Sequence, residues 1–338
     1  MAERLRTAMD RALYGPGGFF RTHRPAGQFR TSVTASPLFA VALARLVAYA
    51  DGVLGHPDRF DLVDVGAGQG LLLDRVMTVL GWPDRVRATA VEKADRPDGL
   101  DERIAWVTEP PAGTVGVLLA TEWLDNVPLD IAEVAEDGRI RYALTDGSLG
   151  DEIDAADRAW LAEWWPVSEP GERAEIGRTR DEAWSAAVAT VRRGIALAVD
   201  YGHTRADRRP TLTGFRAGRE VEPRFDGTTD ITAHVAVDSI GPARLRVLPG
   251  KQREALRDLG VDGARPPLSL AHEDPKAYVR ALSRASQAAE LTGPGLGDHW
   301  WVLAPVAIEW GDDDLRRAGR AEHHRPARPG LRPGQAAP

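Results

Sequence analysis

DLVDVGAGQGLLLDRVMTVLG, residues 61–81, decides how this 338-residue chain is read. A short apolar run meets three glycines and then a stretch with apolar residues at helical spacing, ending at Gly81. That is the pattern of a strand, a glycine loop and a helix. Gly66, Gly68 and Gly70 lack a Cβ, so the backbone can turn sharply and approach a ligand closely. Dinucleotide sites favour G-x-G-x-x-G, whose third glycine would fall at position 71, where this chain has Leu71. The next strand, RVRATAVE, ends in Glu92, near the ~20-residue offset at which an acid meets a ribose diol. The spacing therefore favours S-adenosylmethionine over NAD, because a cofactor without phosphates needs no third glycine to cradle them.

The same alternation continues outward. RIAWVT and VGVLLAT read as third and fourth strands, and GIALAVDYG (194–202) as a fifth after the helix DEAWSAAVATVRR. Strands alternating with helices predict an α/β fold with a mainly parallel sheet and helices on both faces. HWWVLAPVAI is expected to be the last strand, and DPKAYVRALSRASQAAEL a late helix. Before the sheet, Leu5, Met9 and Leu13 mark one helix, and Ser36-Pro37 opens another running to about Leu54. Residues 129–146 read as an inserted hairpin turning at Asp137-Gly138, and residues 203–235 as a long irregular insertion of the kind that forms lids. The expected organisation is a helical extension over 1–56, the main domain over 57–310 and a disordered tail over 311–338, where no apolar period remains.

Composition excludes several classes. The net charge of −7 gives no bulk attraction to nucleic acid, and no apolar run is long enough to span a membrane. All but three of the 43 basic residues are arginine, as in GC-rich bacterial genomes. There is no cysteine, which removes disulfides and thiolate sites and agrees with a cytoplasmic location. The start, MAERLRTAMDRALYG, has no signal-peptide core. No histidine spacing fits a metal site, and no G-x-S-x-G elbow occurs. Exposed apolar faces on the N-terminal helices could support a homodimer.

Acids cluster where a ligand crevice belongs, beyond the carboxyl ends of the strands. Asp64 ends the first strand, Glu92 the second and Asp200 the fifth. Glu109 follows the third, and Glu122 and Asp125 follow the fourth. Clustered carboxylates repel and resist burial unless a cation or donor network compensates them. Taken singly each has a plain reading: Asp64 as an acceptor for loop amides, Glu122 and Asp125 as turn caps, Asp200-Tyr201 as part of a turn. Trp123 packs in the core or walls a pocket. His203 and His234 are candidate general bases, whereas His23, His323 and His324 lie in polar segments.

At these residues the chain resembles the MidA-type S-adenosylmethionine-dependent methyltransferases, over roughly residues 10–305. ALYGPGGFF is similar to the family's A-L-Y-x-P-G-x-Y-Y, and GQFRTSVTASPLF to G-D-F-x-T-A-P-E-x-S-P-x-F. TEWLDNVPLD sits on N-E-x-x-D-A-L-P, VDYGH on D-Y-G, TTDITAHV on D-x-T-A-H-V, and GKQREALRDLG on T-Q-x-x-F-L-x-x-L-G. Glu122, Asp125, Pro128, Asp200, Tyr201, Gly202, Asp230, Thr232 and His234 match. The family's Pro-Glu is Val33-Thr34 here, its Asn is Thr121 and its Ala-Leu is Asn126-Val127. The resemblance implies a Rossmann-like class I methyltransferase with a seven-stranded sheet. It also implies methyl transfer to a protein arginine, an activity that mitochondrial relatives perform on a complex I subunit. Glu122, Asp125 and His234 are then the expected catalytic residues. Asp64, Gly66, Gly68, Gly70, Glu92 and Glu109 are expected on the cofactor, with Asp200, Tyr201 and Trp123 as further candidates. Methylation of a small molecule, or cofactor binding by an assembly factor without turnover, are the alternatives.

Overall fold

The computed structural model describes residues 2–22, 31–82, 84–241 and 248–320. Chain order begins with α1 (Leu5–Tyr14), α2 (Phe19–Thr22), α3 (Ser32–Ala35) and α4 (Pro37–Val53). Leu5, Ala8, Met9, Ala12 and Leu13 are the buried stripe of α1. The Ser36 hydroxyl caps α4 by accepting from the Leu38 N–H at 3.1 Å, with Pro37 in the first turn.

Next come β1 (Phe60–Val65), α5 (Leu71–Leu80), β2 (Val86–Val91), β3 (Ala105–Val107) and β4 (Thr114–Thr121). A 3₁₀ turn, Leu124–Asn126, follows β4. Beyond it lie β5 (Asp130–Val134), β6 (Ile140–Ala143), β7 (Leu149–Glu152), α6 (Ala155–Trp164), β8 (Arg173–Ile176), α7 (Arg178–Ala189) and β9 (Val191–Asp200). The chain continues through β10 (Gly202–His203), β11 (Thr213–Arg216), β12 (Arg219–Val221), β13 (Asp230–Thr232) and β14 (Val235–Ala236). It closes with β15 (Leu248–Lys251), α8 (Gln252–Asp258), α9 (Leu268–Glu273), α10 (Pro275–Thr292), β16 (Trp300–Val306) and α11 (Asp314–Arg320).

The central sheet has seven strands in the order β15-β16-β9-β4-β1-β2-β3. β3, β2, β1, β4 and β9 run parallel, and β16 is antiparallel to both its neighbours. Side chains alternate between two cores. Leu62, Val117 and Leu119 join α4, α5 and α8 in one, while Val63, Val65, Leu118 and Ala120 meet Trp184, Ala187 and Val188 of α7 in the other. Strand order reverses between β1 and β4, with β2 and β3 added on one side of β1 and β4 and β9 on the other, so the crevice where a ligand belongs opens at their carboxyl ends.

Three expectations are corrected. The hairpin turns where expected, but it is the middle of a four-stranded antiparallel sheet, β7-β6-β5-β8. The outer strands are only four residues each and carry mixed polar sequences, LGDE and RAEI, which gave no periodic signal. The segment 203–235 is not irregular throughout: β12-β11-β13 form a three-stranded sheet and β10 pairs with β14. Its hairpin turns at Ala217 and Gly218, with φ of 51° and 74°, the left-handed pair of a tight turn. The chain after Gly311 is not wholly structureless either. In α11, Asp314 accepts from Tyr49 Oη at 2.7 Å and Ala318 is buried; polar surface elsewhere on this helix hid its one apolar contact row. Residues 321–338, with His323 and His324, lie outside the described residues, as does His23. No helix among the described residues is long and apolar enough to cross a membrane.

Candidate active site

β1 runs into a loop whose glycines all have positive φ: Gly66 72°, Gly68 57° and Gly70 73°. A Cβ on Gly66 would lie 2.8 Å from Trp123 Cδ1, so the indole lies directly on the loop. The Gly68 N–H donates to Glu92 Oε2 at 2.9 Å. Glu92 Oε1 accepts from the Lys93 and Ala94 amides at 2.7 and 3.1 Å. Glu92 thus ties the loop after β1 to the loop after β2, and its oxygens retain lone pairs for a further donor. Asp64 is buried, and its Oδ1 has no hydrogen-bond partner among the described residues. Burial, and then the charge of Glu92, push the Asp64 carboxyl up to about 8. Asp64, Gly66, Gly68, Glu92 and Glu109 all line one cavity of about 820 Å³. Gly70 does not; it opens α5, and a Cβ there would press on Leu100 at 2.9 Å.

The other half of this cavity is built from the chain after β4. Glu122 has φ 51°, a left-handed conformation that a residue with a side chain adopts at a cost of about 1–3 kcal/mol. Its Oε1 accepts from the Ser32 N–H at 2.7 Å, and its Oε2 has no partner among the described residues. Burial pushes this carboxyl up to about 8, against the pull of the Ser32 amide. Asp125 Oδ2 accepts from the Thr232 hydroxyl at 2.7 Å, while Oδ1 is unpartnered among the described residues and burial raises the carboxyl. Asp230 Oδ1 accepts from Asn126 Nδ2 at 2.8 Å; burial and then Asp125 push its carboxyl up to about 7. Glu122, Asp125 and Asp230 line the cavity together with the rings of Tyr14, Phe20 and Phe215. Tyr14 stacks on Phe20 with centroids 5.5 Å apart, donates to the Asn126 carbonyl at 3.2 Å, and lies 4.1 Å beneath Lys93 Nζ.

Asp200 and Arg180 hold that half in place. Asp200 Oδ2 accepts from the amides of Trp123, Leu124 and Asp125 at 3.2, 2.8 and 3.3 Å, and Oδ1 from the Tyr201 amide at 2.9 Å. It caps the 3₁₀ turn and does not line the cavity. Arg180 is buried, and its guanidinium donates to four main-chain carbonyls: Asp125 (2.6 Å), Val127 (3.2 Å), Ala233 (2.7 Å) and His234 (2.9 Å). It joins the acid-bearing turn to the segment after β13, which carries Asp230 and Thr232. Burial lowers the Arg180 pKa, while Glu175, Asp125 and Asp200 around it favour the charge.

The structure separates the histidines from the cavity. No histidine is among the described residues that line it. The His234 ring stacks on Tyr201 at 5.7 Å, and Tyr201 meets His299 at 3.9 Å. Neither His234 nor Tyr201 is among the described residues that line the cavity. His203 packs edge-on to Trp165, and burial holds it down to about 4. Trp123 resolves to both of its readings: it packs on Gly66 and walls the cavity. Sequence reasoning missed Arg180, hidden among many surface arginines, and gave no role to the walls Phe20 and Phe215. Tyr14, Asp230 and Thr232 were visible only as positions shared with a resembling family.

Comparison with known proteins places the chain and its fold. The family model of S-adenosyl-L-methionine-dependent methyltransferases matches residues 42–244. No curated protein matches the chain. A Burkholderia thailandensis protein solved with S-adenosyl-homocysteine bound is 24% identical, with a TM-score of 0.75 over 94% of this chain and 91% of that one. A native crystal structure from the same organism gives 24% identity and a TM-score of 0.72 over 94% and 90%. These likenesses show the fold, including the predicted class I arrangement of the seven-stranded sheet.

Proposed function

The chain belongs to the S-adenosyl-L-methionine-dependent methyltransferase family, and on that premise we propose that it methylates a guanidinium nitrogen of a protein arginine. One observation carries the reading: two buried carboxylate oxygens without partners among the described residues, Glu122 Oε2 and Asp125 Oδ1, belong to side chains lining the cavity that the glycine loop also lines. Buried acceptors of this kind are costly unless a donor meets them. S-adenosylmethionine fits the loop end. Gly66 and Gly68 allow close approach, Glu92 suits the ribose hydroxyls, and Asp64 suits the amino end; Glu109 completes that wall.

The cofactor supplies an electrophilic methyl group on a sulfonium. The protein's contribution is alignment, which is worth about 7–11 kcal/mol in well-oriented reactions. A guanidinium has a pKa above ~12 and enters as a cation. Glu122 and Asp125 accept from its planar fork and fix which nitrogen faces the methyl group. As the new N–C bond forms and the S–C bond breaks, the nitrogen loses a proton. Glu122, raised to about 8, takes it, the role His234 was expected to share. The aromatic walls Tyr14, Phe20 and Phe215 also support a second reading, a small flat cationic acceptor.

Incubating the protein with methyl-labelled cofactor and a cell lysate separates the readings. The expected result is a labelled protein band, with the label on arginine by mass spectrometry. Label in the small-molecule fraction supports the second reading instead. Cofactor binding with no transferred label would leave a binding protein without turnover.

A further inference from the structure

α9 and α10 form a helical elbow that is unlike the rest of the surface. The exposed large hydrophobic residues of the described chain are Leu268 (74%), Val279 (64%) and Leu282 (38%), and all three lie on this elbow. α9, sequence LSLAHE, contributes no buried residue although it carries two leucines. α10 buries Ala285, Ala288 and Leu291 on its inner face and leaves Val279 and Leu282 outside. Lys276, Arg280 and Arg284 follow at intervals of four, one row along the helix, all exposed. None of the three forms an ion pair among the described residues, whereas many arginines elsewhere do. Exposed Glu273 and Asp274 flank Lys276 at the bend, while apolar side chains beside a basic row that forms no ion pair among the described residues mark a surface for a partner.

The elbow also adjoins the cavity wall. The Ser36 hydroxyl donates to Gln287 of α10 at 3.2 Å, and the preceding α3 supplies Val33 and Thr34 to the cavity lining. Leu282 is five residues from Gln287, or ~7.5 Å along the helix at ~1.5 Å per residue.

We propose that the α9–α10 elbow docks an acidic, apolar-faced segment of the protein acceptor, which brings the target arginine to the cavity. The proposal rests on the protein-acceptor reading above. Charge complementarity selects the occupant. Acidic side chains would neutralise Lys276, Arg280 and Arg284 while an apolar face covers Val279, Leu282 and Leu268. A second copy of the same elbow would bring three more cations to the seam. An anionic membrane is the competing occupant, and the test includes it.

Two probes and one paired variant set decide the matter. The first probe is a dye-labelled helical 20-residue peptide with glutamate on one face and leucine on the other; the second is a vesicle of phosphatidylglycerol. The variants are Val279→Asp and the triple K276E/R280E/R284E, whose residues lie outside the cavity. The wild type is expected to bind the peptide, at least tenfold more weakly in 0.3 M than in 0.05 M salt. Both variants should lose at least tenfold in peptide affinity while keeping wild-type melting temperature and S-adenosyl-homocysteine affinity. In the labelled-lysate assay, they should slow protein labelling at least tenfold at low lysate concentration. Binding to vesicles in place of the peptide, no peptide binding by the wild type, or labelling unaffected by the variants would overturn the proposal. Peptide binding without any labelled protein would instead remove the protein-acceptor reading that the proposal needs.

Discussion

Glu122 concentrates the strain of the site. It takes a left-handed backbone conformation, leaves one buried oxygen unpartnered among the described residues, and is held by a single amide, from Ser32. Its carboxyl is pushed from 4.5 up to about 8, Asp64 from 3.8 up to about 8, and Asp230 from 3.8 up to about 7. The consequence for stability has a definite sign. Between the unfolded and folded values the folded state holds more protons, so stability falls as pH rises through that window. The ligand-free protein is therefore expected to lose melting temperature between about pH 5 and about pH 8. Glu122→Gln keeps the shape and removes one titrating group, so its curve should fall less steeply, by ~2 kcal/mol or more over the window. Parallel curves for the two proteins, measured by calorimetry at each pH, would contradict the burial of an ionisable Glu122. A strand-end acid reads alike in sequence whether it caps a turn or waits for a ligand. Asp200 accepts three amides of the turn, whereas Glu122 keeps one buried oxygen unpartnered among the described residues, and only the positions of their hydrogen-bond donors distinguish them.

At the scale of elements, the acid-bearing turn after β4 depends on its neighbours. Asp200 at the end of β9 caps it from one side, and Arg180 of α7 ties it to the segment after β13 from the other. Replacing Arg180 with methionine would strand four main-chain carbonyls, two of them buried, and remove the cation among Glu175, Asp125 and Asp200. Breaking a buried charge network in this way costs about 3–5 kcal/mol. Chemical denaturation should show that loss for Arg180→Met and a partial recovery for Arg180→Lys; a loss under ~1 kcal/mol would show that the turn holds itself. The alternation of strands and helices was plain in the sequence because β1, β4 and β9 are apolar on both faces. The inserted sheet was half visible: its Asp137-Gly138 turn is a strong local signal, but β7 and β8 are too short and too polar to show a period. Arg180 gave no signal at all, since a buried arginine and a surface arginine are the same letter in a chain rich in them.

Across the whole molecule, the methyltransferase sheet supplies one half of the cavity, and segments added to it supply much of the other. Tyr14 and Phe20 come from the N-terminal helices, and Phe215, Asp230 and Thr232 from the insertion between β9 and β15. The proposed cofactor end is legible from a glycine loop and an acid at a fixed offset, because those requirements are local in sequence. The proposed acceptor end is assembled from parts separated by more than 200 residues, which no local pattern encodes. This division predicts that the two ends can be uncoupled. The direct test is Glu122→Gln, with S-adenosyl-homocysteine affinity measured by calorimetry and methyl transfer measured with labelled cofactor. The predicted result is cofactor affinity within about threefold of wild type and transfer reduced on the order of 10²–10⁴-fold, the range of a lost acid–base group. Equal loss of affinity and transfer, or transfer that survives the substitution, would contradict the assignment of Glu122 to the acceptor.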